Sequence, residues 1–175
     1  AILMAFLRAS LRAATHIGYA TNISMAKVNY LLWESIERHQ FVTAFHGILD
    51  ASNRTLSYSN AGHNPPILLK ANGTIQIIEH GELPLGMFSE TRYHEYHLLI
   101  EPGDVLVLYT DGVTEALSPE GEEFGRDRLV QAVKENRDQP ARELIASLEM
   151  AVLGWTANAG SSDDVTFFVI KALKN

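Results

Sequence analysis

Two acidic corners flank two strongly apolar runs in this chain. They are Tyr109-Thr110-Asp111-Gly112 near the middle and Ser162-Asp163-Asp164-Val165-Thr166 near the end. Each sets a carboxylate where a strand meets a loop, a place from which a sheet can present metal ligands. With no cysteine in the chain, carboxylate oxygens suit a hard divalent cation such as Mg²⁺ or Mn²⁺. Asp111 ends one apolar run and Asp163 precedes the other, so antiparallel pairing of the runs brings the two carboxylates together. No Lys or Arg stands within several residues of either. Like charges held close repel and raise a pKa unless a cation intervenes, and a bound divalent ion resolves the conflict. Gly112, without a Cβ, lets backbone carbonyls or waters approach the same ion. Ordinary turn aspartates explain the spacing equally well, so spacing alone leaves both readings open.

The elements that position these corners follow from periodicity. Leu3, Leu7, Leu11 and Ala14 recur at helical spacing and predict an amphipathic helix of about four turns. A second helix is expected over 24–38, with Met25, Val28, Leu32 and Ile36 inward and Asn22 or Ser24 as cap. From Phe41 the period changes to two. Strands are expected over 41–49 and 55–60, then 67–70 and 74–78, then 93–100. Glu101-Pro-Gly-Asp104 has the chemistry of a tight turn. Val105 to Tyr109 is a continuous apolar run, the mark of a central strand covered on both faces. Helices follow over 126–135 and after Asp138, the latter with Pro140 in its first turn and Leu144, Leu148, Val152 and Trp155 inward. A strand over 165–170 closes the chain. This order predicts an α+β fold of packed sheets with helices outside.

Bulk properties exclude several classes. The 175 residues make one domain of ordinary globular composition, 46% hydrophobic and 20% charged. The net charge of −7, with 14 scattered Lys and Arg, argues against a nucleic-acid surface and hence against a metal-dependent nuclease. No apolar run reaches the ~18 residues of a membrane span. No charged leader precedes the first helix, which suits a cytoplasmic protein making no membrane contact. The Asn-x-Ser/Thr triplets at Asn22, Asn53 and Asn72 then read as chance matches in polar turns. The chain opens inside a helical pattern with no initiator Met, which suggests a piece cut from a longer protein.

A wider series of motifs occurs in one order: Phe41-Val-Thr-Ala-Phe45, Ser59-Asn-Ala-Gly-His63 with Pro65-Pro66, Pro84-Leu-Gly86, Glu101-Pro-Gly-Asp-Val105, Tyr109-Thr-Asp-Gly-Val-Thr-Glu-Ala116, Glu123-Phe-Gly125 and Asp163-Asp-Val-Thr166. The series resembles the bacterial SpoIIE/RsbU-like serine phosphatases, a branch of the metal-dependent type 2C protein phosphatases, over essentially the whole chain. The resemblance implies a four-layer α-β-β-α sandwich of two antiparallel sheets flanked by helices, with a two-metal Mn²⁺ or Mg²⁺ centre at one end. Asp111 matches the metal-ligating aspartate of the Thr-Asp-Gly motif, Gly112 is its motif neighbour, and Asp163 matches the ligating first residue of the C-terminal Asp-Asp/Asn pair. Asp164 falls where the family accepts Asp or Asn and is not counted as a ligand. The implied reaction is direct in-line attack of a metal-bridging water on phosphoserine or phosphothreonine. The implied substrate is a regulatory protein such as an anti-sigma-factor antagonist. The resemblance also implies an upstream sensor or regulatory domain, with the first two helices passing regulation from it.

One departure stands out. The family carries strands ahead of the first helix, and an aspartate there bridges both ions; residues 1–175 are expected to be a phosphatase domain lacking those first strands. Asp111 and Asp163 alone would hold metal weakly, because affinity for such ions depends on ligand number and charge. A catalytically dead phosphatase fold used as a protein-binding module is the competing expectation. Around the site, His63 could act as a general acid, although such residues more often fix a loop. Glu115 could stand behind a water near the metal or simply face solvent at a helix start. Arg126 and Arg128 could meet substrate phosphate, and a surface helix start explains them equally well. His94-Glu95-Tyr96-His97 has the wrong spacing for a zinc-protease motif.

Overall fold

Helical and strand periodicities resolve into five helices and seven strands among residues 2–37, 39–157 and 164–173, the part of the chain that the computed structural model describes. The helices are α1 (Ile2–Ile17), α2 (Thr21–Ser35), α3 (Asp111–Thr114), α4 (Gly125–Glu135) and α5 (Ala141–Trp155). The strands are β1 (Ala44–Asp50), β2 (Thr55–Ala61), β3 (Ile67–Leu69), β4 (Ile75–Ile77), β5 (Tyr96–Leu99), β6 (Val105–Tyr109) and β7 (Phe167–Lys171). They form two antiparallel sheets, ordered β1-β2-β5 and β4-β3-β6-β7. Residues 1–63 with 80–99 make one compact unit, and 64–79 with 100–175 make the other. Every expected element is present, and only the short α3 was not foreseen.

In the first unit, the expected stripes of α1 and α2 face inward. Leu7, Met25, Val28 and Leu32 meet Val42, Ala44, Ala61, Leu85 and Tyr93 in one apolar cluster. Full burial of each larger side chain contributes roughly 1.5–3 kcal/mol. Helix α2 begins three residues before the expected position. Its cap is neither Asn22 nor Ser24 but the carboxylate of Glu95, which accepts from the Thr21 backbone N–H at 2.6 Å and from the Thr21 hydroxyl at 2.9 Å. Ser24 instead donates back to the Ala20 carbonyl at 3.1 Å. At its other end α2 stops at Ser35 and Ile36 turns extended. There the Ile36 side chain lies against Gly86, where φ is +83° and an added Cβ would come within 2.5 Å of Ile36 Cδ1.

Asn29, fully buried on α2, fixes the loop that follows Gly86. Its Oδ1 accepts from Gly86 N–H at 2.8 Å and Tyr93 O–H at 3.2 Å. Its Nδ2 donates to the carbonyls of Phe88 at 2.8 Å and Ser89 at 3.2 Å. One amide thus uses both its donors and its acceptor on a loop with little regular structure.

His46 on β1 shows the opposite condition. Its Nε2 is buried with no hydrogen-bond partner among the described residues. Burial pushes its pKa below the usual histidine value, against a smaller upward pull from Glu95. The unfolded chain therefore takes up this proton at a higher pH than the folded one. The stability is fully present above the ordinary value of 6.5 and declines as pH falls through the lowered folded value. Denaturant unfolding at pH 7.5 and pH 5.5 should show a smaller acid loss for His46→Gln than for the unsubstituted protein, and equal losses would contradict this assignment.

The second unit is built around β6, which pairs with β3 on one side and β7 on the other. Val105, Leu106 and Val107 are at most 1% exposed, as a strand covered on both faces requires. Leu129 and Val133 of α4, Leu144, Leu148 and Val152 of α5, and Ile67, Leu69, Val105, Val107 and Tyr109 of the sheet share one core. Pro140 stands just ahead of α5 as its N-cap rather than within the first turn.

The Glu101-Pro-Gly-Asp104 turn forms as expected, with Gly103 at φ +89° and Asp104 N–H donating to the Glu101 carbonyl at 2.9 Å. The Asp104 side chain is fully buried. It accepts from Lys70 Nζ at 2.6 Å, Ala71 N–H at 2.8 Å and Glu101 N–H at 2.9 Å. Lys70 is partly exposed and keeps Glu101 at 2.9 Å, so losing Asp104 costs mainly through the Ala71 and Glu101 N–H groups left without their acceptor. Asp104→Ala is expected to lower the unfolding free energy by about 3 kcal/mol, read by urea denaturation; a loss under about 1 kcal/mol, the worth of one ordinary hydrogen bond, would refute this role.

Candidate metal centre

The site is set by the pairing of β6 with β7, which runs antiparallel from Val105↔Lys171 to Tyr109↔Phe167. The C-terminal end of β6 therefore meets the N-terminal end of β7, as the two acidic corners require. Beyond the last pair the chains are still joined. Thr110 N–H donates to the Thr166 carbonyl at 3.2 Å. The Thr110 hydroxyl donates to the Asp164 carbonyl at 2.7 Å and accepts from Thr166 N–H at 3.0 Å. Thr110 opens the Thr-Asp-Gly motif, and the sequence signal for its role is a hydroxyl where a strand ends.

Asp111 follows at once, exposed, as the first residue of α3. Its Oδ1 accepts from Gly112 N–H at 3.0 Å, and its carbonyl accepts from Glu115 N–H at 2.9 Å. Among the described residues no Lys, Arg or His forms an ion pair with Asp111. An exposed, turn-fixed carboxylate with no cationic side chain paired to it is chemically fit to ligate a hard divalent ion. Gly112 is buried beside it in the same helical turn. Asp163 lies outside the described residues, whereas its neighbour Asp164 is exposed and held through its carbonyl by Thr110. Among the described residues no group of three or more His, Asp or Glu side chains converges on a single ion position.

The surrounding candidates fall into place differently. Glu115 is exposed and terminates α3 rather than opening a helix. Arg128 forms no ion pair with Asp111 among the described residues; its carboxylate partner is Glu122, at 3.5 Å. Its guanidinium lies 3.9 Å from the centre of the Trp155 ring and donates to the carbonyls of Glu123 at 3.0 Å and Phe124 at 3.1 Å. The Trp155 indole N–H donates to the Glu122 carbonyl at 3.0 Å. Together these contacts clip the loop after α3 onto the end of α5 (a cation–π contact of this kind is worth about 1 kcal/mol). Arg126 is exposed at the start of α4, with Nη1 4.0 Å from Glu79. Its positive charge partly offsets the upward push that burial gives the Tyr109 hydroxyl.

The turn at His63 is fixed by another residue. Asn60 donates through Nδ2 to the His63 carbonyl at 2.9 Å and accepts from His63 N–H at 2.8 Å. His94 and His97 have separate partners, Glu82 at 2.9 Å and Ser57 at 3.0 Å, and share no ligand position.

Residues 1–173 match the family model described as Stage II sporulation protein E (SpoIIE). Protein IcfG of Synechocystis sp. is 33% identical over 142 residues, covering 81% of this chain and 22% of its own length. The phosphoserine phosphatase RsbU of Bacillus subtilis is 23% identical over 172 residues, covering 98% of this chain and 51% of its own. The chain thus spans about half the length of RsbU and about a fifth of IcfG.

Among solved structures, the SiaA-PP2C domain of Pseudomonas aeruginosa superposes with a TM-score of 0.84 at 16% identity, covering 97% of this chain and 69% of that one. The phosphatase domain of the cell fate determinant SpoIIE from Bacillus subtilis, presoaked with Mn, gives 0.66 at 19% identity, covering 94% and 71%. These likenesses establish the fold. With the family model spanning nearly all of its residues, the chain belongs to the SpoIIE family and is a phosphatase-type domain related to RsbU.

Proposed function

We propose that residues 1–175 act as part of a metal-dependent protein phosphatase domain that hydrolyses phosphoserine or phosphothreonine on a regulatory protein. The observation that carries this reading is Asp111: an exposed carboxylate at the end of β6, with no ion-pair partner among the described residues, beside the anchored segment that follows Asp163. Asp111 and Asp163 are the proposed metal-ligating carboxylates, with Gly112 allowing close approach beside Asp111. The matching structure presoaked with Mn supports Mn²⁺ or Mg²⁺ as the ion. Bound there, two such ions supply the Lewis acidity that activates water and neutralises phosphoryl oxygens during in-line displacement.

What the chain itself does is hold and orient. The Gly112 N–H fixes the Asp111 carboxylate, α3 carries that corner, and the clip of Arg128 on Trp155 steadies the loop behind it. Arg128 is thereby committed to Trp155 and to backbone carbonyls, so phosphate binding by this residue is not part of the proposal.

The substrate class follows from RsbU, a named phosphoserine phosphatase. We take the substrate to be an anti-sigma-factor antagonist, which would place the reaction in the cytoplasm. Regulation from an attached sensor domain through α1 and α2 belongs to the same proposal. Tyr30 and Trp33, 48% and 46% exposed on α2 with ring centres 6.3 Å apart, offer it a contact face.

The test is hydrolysis of p-nitrophenyl phosphate with and without Mn²⁺, by the full-length protein and by residues 1–175, each with an Asp111→Asn control. Turnover is expected to require Mn²⁺ and to fall about a hundredfold or more in Asp111→Asn, the scale of losing a metal-held stabilisation of several kcal/mol. Equal turnover by the substituted protein, or turnover indifferent to Mn²⁺, would overturn the assignment. For the substrate, phosphoserine on an anti-sigma-factor antagonist should be released. Cleavage of unrelated phosphoproteins with none of this one would remove that part of the proposal.

A further inference from the structure

The β6–β7 ladder ends in an unusual way. At Tyr109↔Phe167 the strands are regular partners, but after it the chain of β6 turns into α3 and its backbone leaves the ladder. The next N–H on the facing segment, that of Thr166, is met by a side chain: the Thr110 hydroxyl accepts it at 3.0 Å. The same hydroxyl donates its proton to the Asp164 carbonyl at 2.7 Å. With the Thr110 backbone N–H on the Thr166 carbonyl at 3.2 Å, one residue makes three bonds to a segment of three.

A hydroxyl is both donor and acceptor, and this position uses both capacities at once. Valine has the shape and neither function, whereas serine has both functions. The anchored segment begins one residue after Asp163, and the anchor itself stands one residue before Asp111.

We propose that Thr110 is the positioning residue of the metal centre. Its hydroxyl holds the Asp164–Thr166 backbone to the residue that precedes Asp111. The inference rests on the phosphatase reading above and names a residue that acts through others, touching neither ion nor substrate. The bonds it makes are local to the end of the ladder, so their loss acts on metal affinity more than on the fold, whose core lies around β6, α4 and α5.

The experiment compares the full-length protein with its Thr110→Val and Thr110→Ser forms. Mn²⁺ affinity is measured by isothermal titration calorimetry, and exchange of the Thr166 amide hydrogen by NMR. Thr110→Val is expected to weaken Mn²⁺ binding about tenfold, the lower end of what loss of a partner behind metal ligands costs, and to speed exchange at Thr166. Thr110→Ser should stay within about twofold of the unsubstituted protein in both readouts. If Thr110→Val binds Mn²⁺ as tightly as the unsubstituted protein, the positioning role is wrong and the phosphatase reading stands. If the serine form is weakened as much as the valine form, side-chain bulk rather than the hydroxyl matters and the role is again wrong. If the unsubstituted protein binds no Mn²⁺, both the reading and this inference fall.

Discussion

The register of β6 against β7 is the constraint from which the candidate site follows. A slip of one residue would turn every side chain of β6 to the other face and move both corners apart. The register is held at both ends by means other than apolar contact. At the start of β6 the ladder continues through Gly103 N–H to the Ala172 carbonyl at 2.7 Å and Ala172 N–H to the Asp104 carbonyl at 3.0 Å. There the buried Asp104 carboxylate ties the turn to Lys70 and Ala71. At the far end Thr110 bridges to Thr166. Lys171, the last residue of β7, donates from Nζ to the carbonyls of Arg137 and Gln139 beyond α4. Non-directional burial makes the sheet stable, but these directional bonds choose one pairing among those that burial would accept.

The same division appears in the first unit. Its apolar cluster accounts for why α1, α2 and the strands associate, yet it does not specify the course of the chain between Gly86 and Tyr93. Asn29 does, because a buried amide left unpaired would cost about 1–3 kcal/mol and this loop path satisfies all of its bonds. Glu95 acts likewise on α2. A carboxylate that satisfies the Thr21 N–H sets where the helix starts and ties it to the segment ahead of β5. Asn29 and Glu95 each fix one piece of backbone that apolar contact leaves undetermined.

This explains which parts of the fold were legible in the sequence. The stripes of α1 and α2, the apolar run of β6 and the Pro-Gly turn before it are local patterns, and periodicity or turn chemistry reports them directly. The start of α2 was misplaced because its cap comes from Glu95, 74 residues away; a local reading offered only Asn22 and Ser24. Helix α3 escaped because one turn of four residues has no periodicity to detect. The role of Arg128 stayed open between phosphate contact and a surface position because its partner Trp155 lies a helix away, at the end of α5. Asp111 was legible for a different reason: its lack of a local basic partner is a property of sequence, and the fold did not supply an ion-pair partner among the described residues.

A site assembled this way differs from one built on a single loop. Where all ligands lie within one short motif, the motif's own backbone sets their spacing, and the rest of the protein only carries it. Here Asp111 and the segment after Asp163 are more than 50 residues apart in the chain, and their proximity is a consequence of strand pairing. Affinity for a hard cation depends on how many oxygens converge and how rigidly they do so. In the proposed site the ladder would therefore set how rigidly the oxygens at its end are held. A change in β6 or β7 that leaves both aspartates untouched can weaken the site, and its effect should follow how far it loosens the Thr110 end of the pairing. The apolar centre of β6, pinned at both ends, is where substitution costs stability; the hydrogen-bonded rim is where it would alter the chemistry.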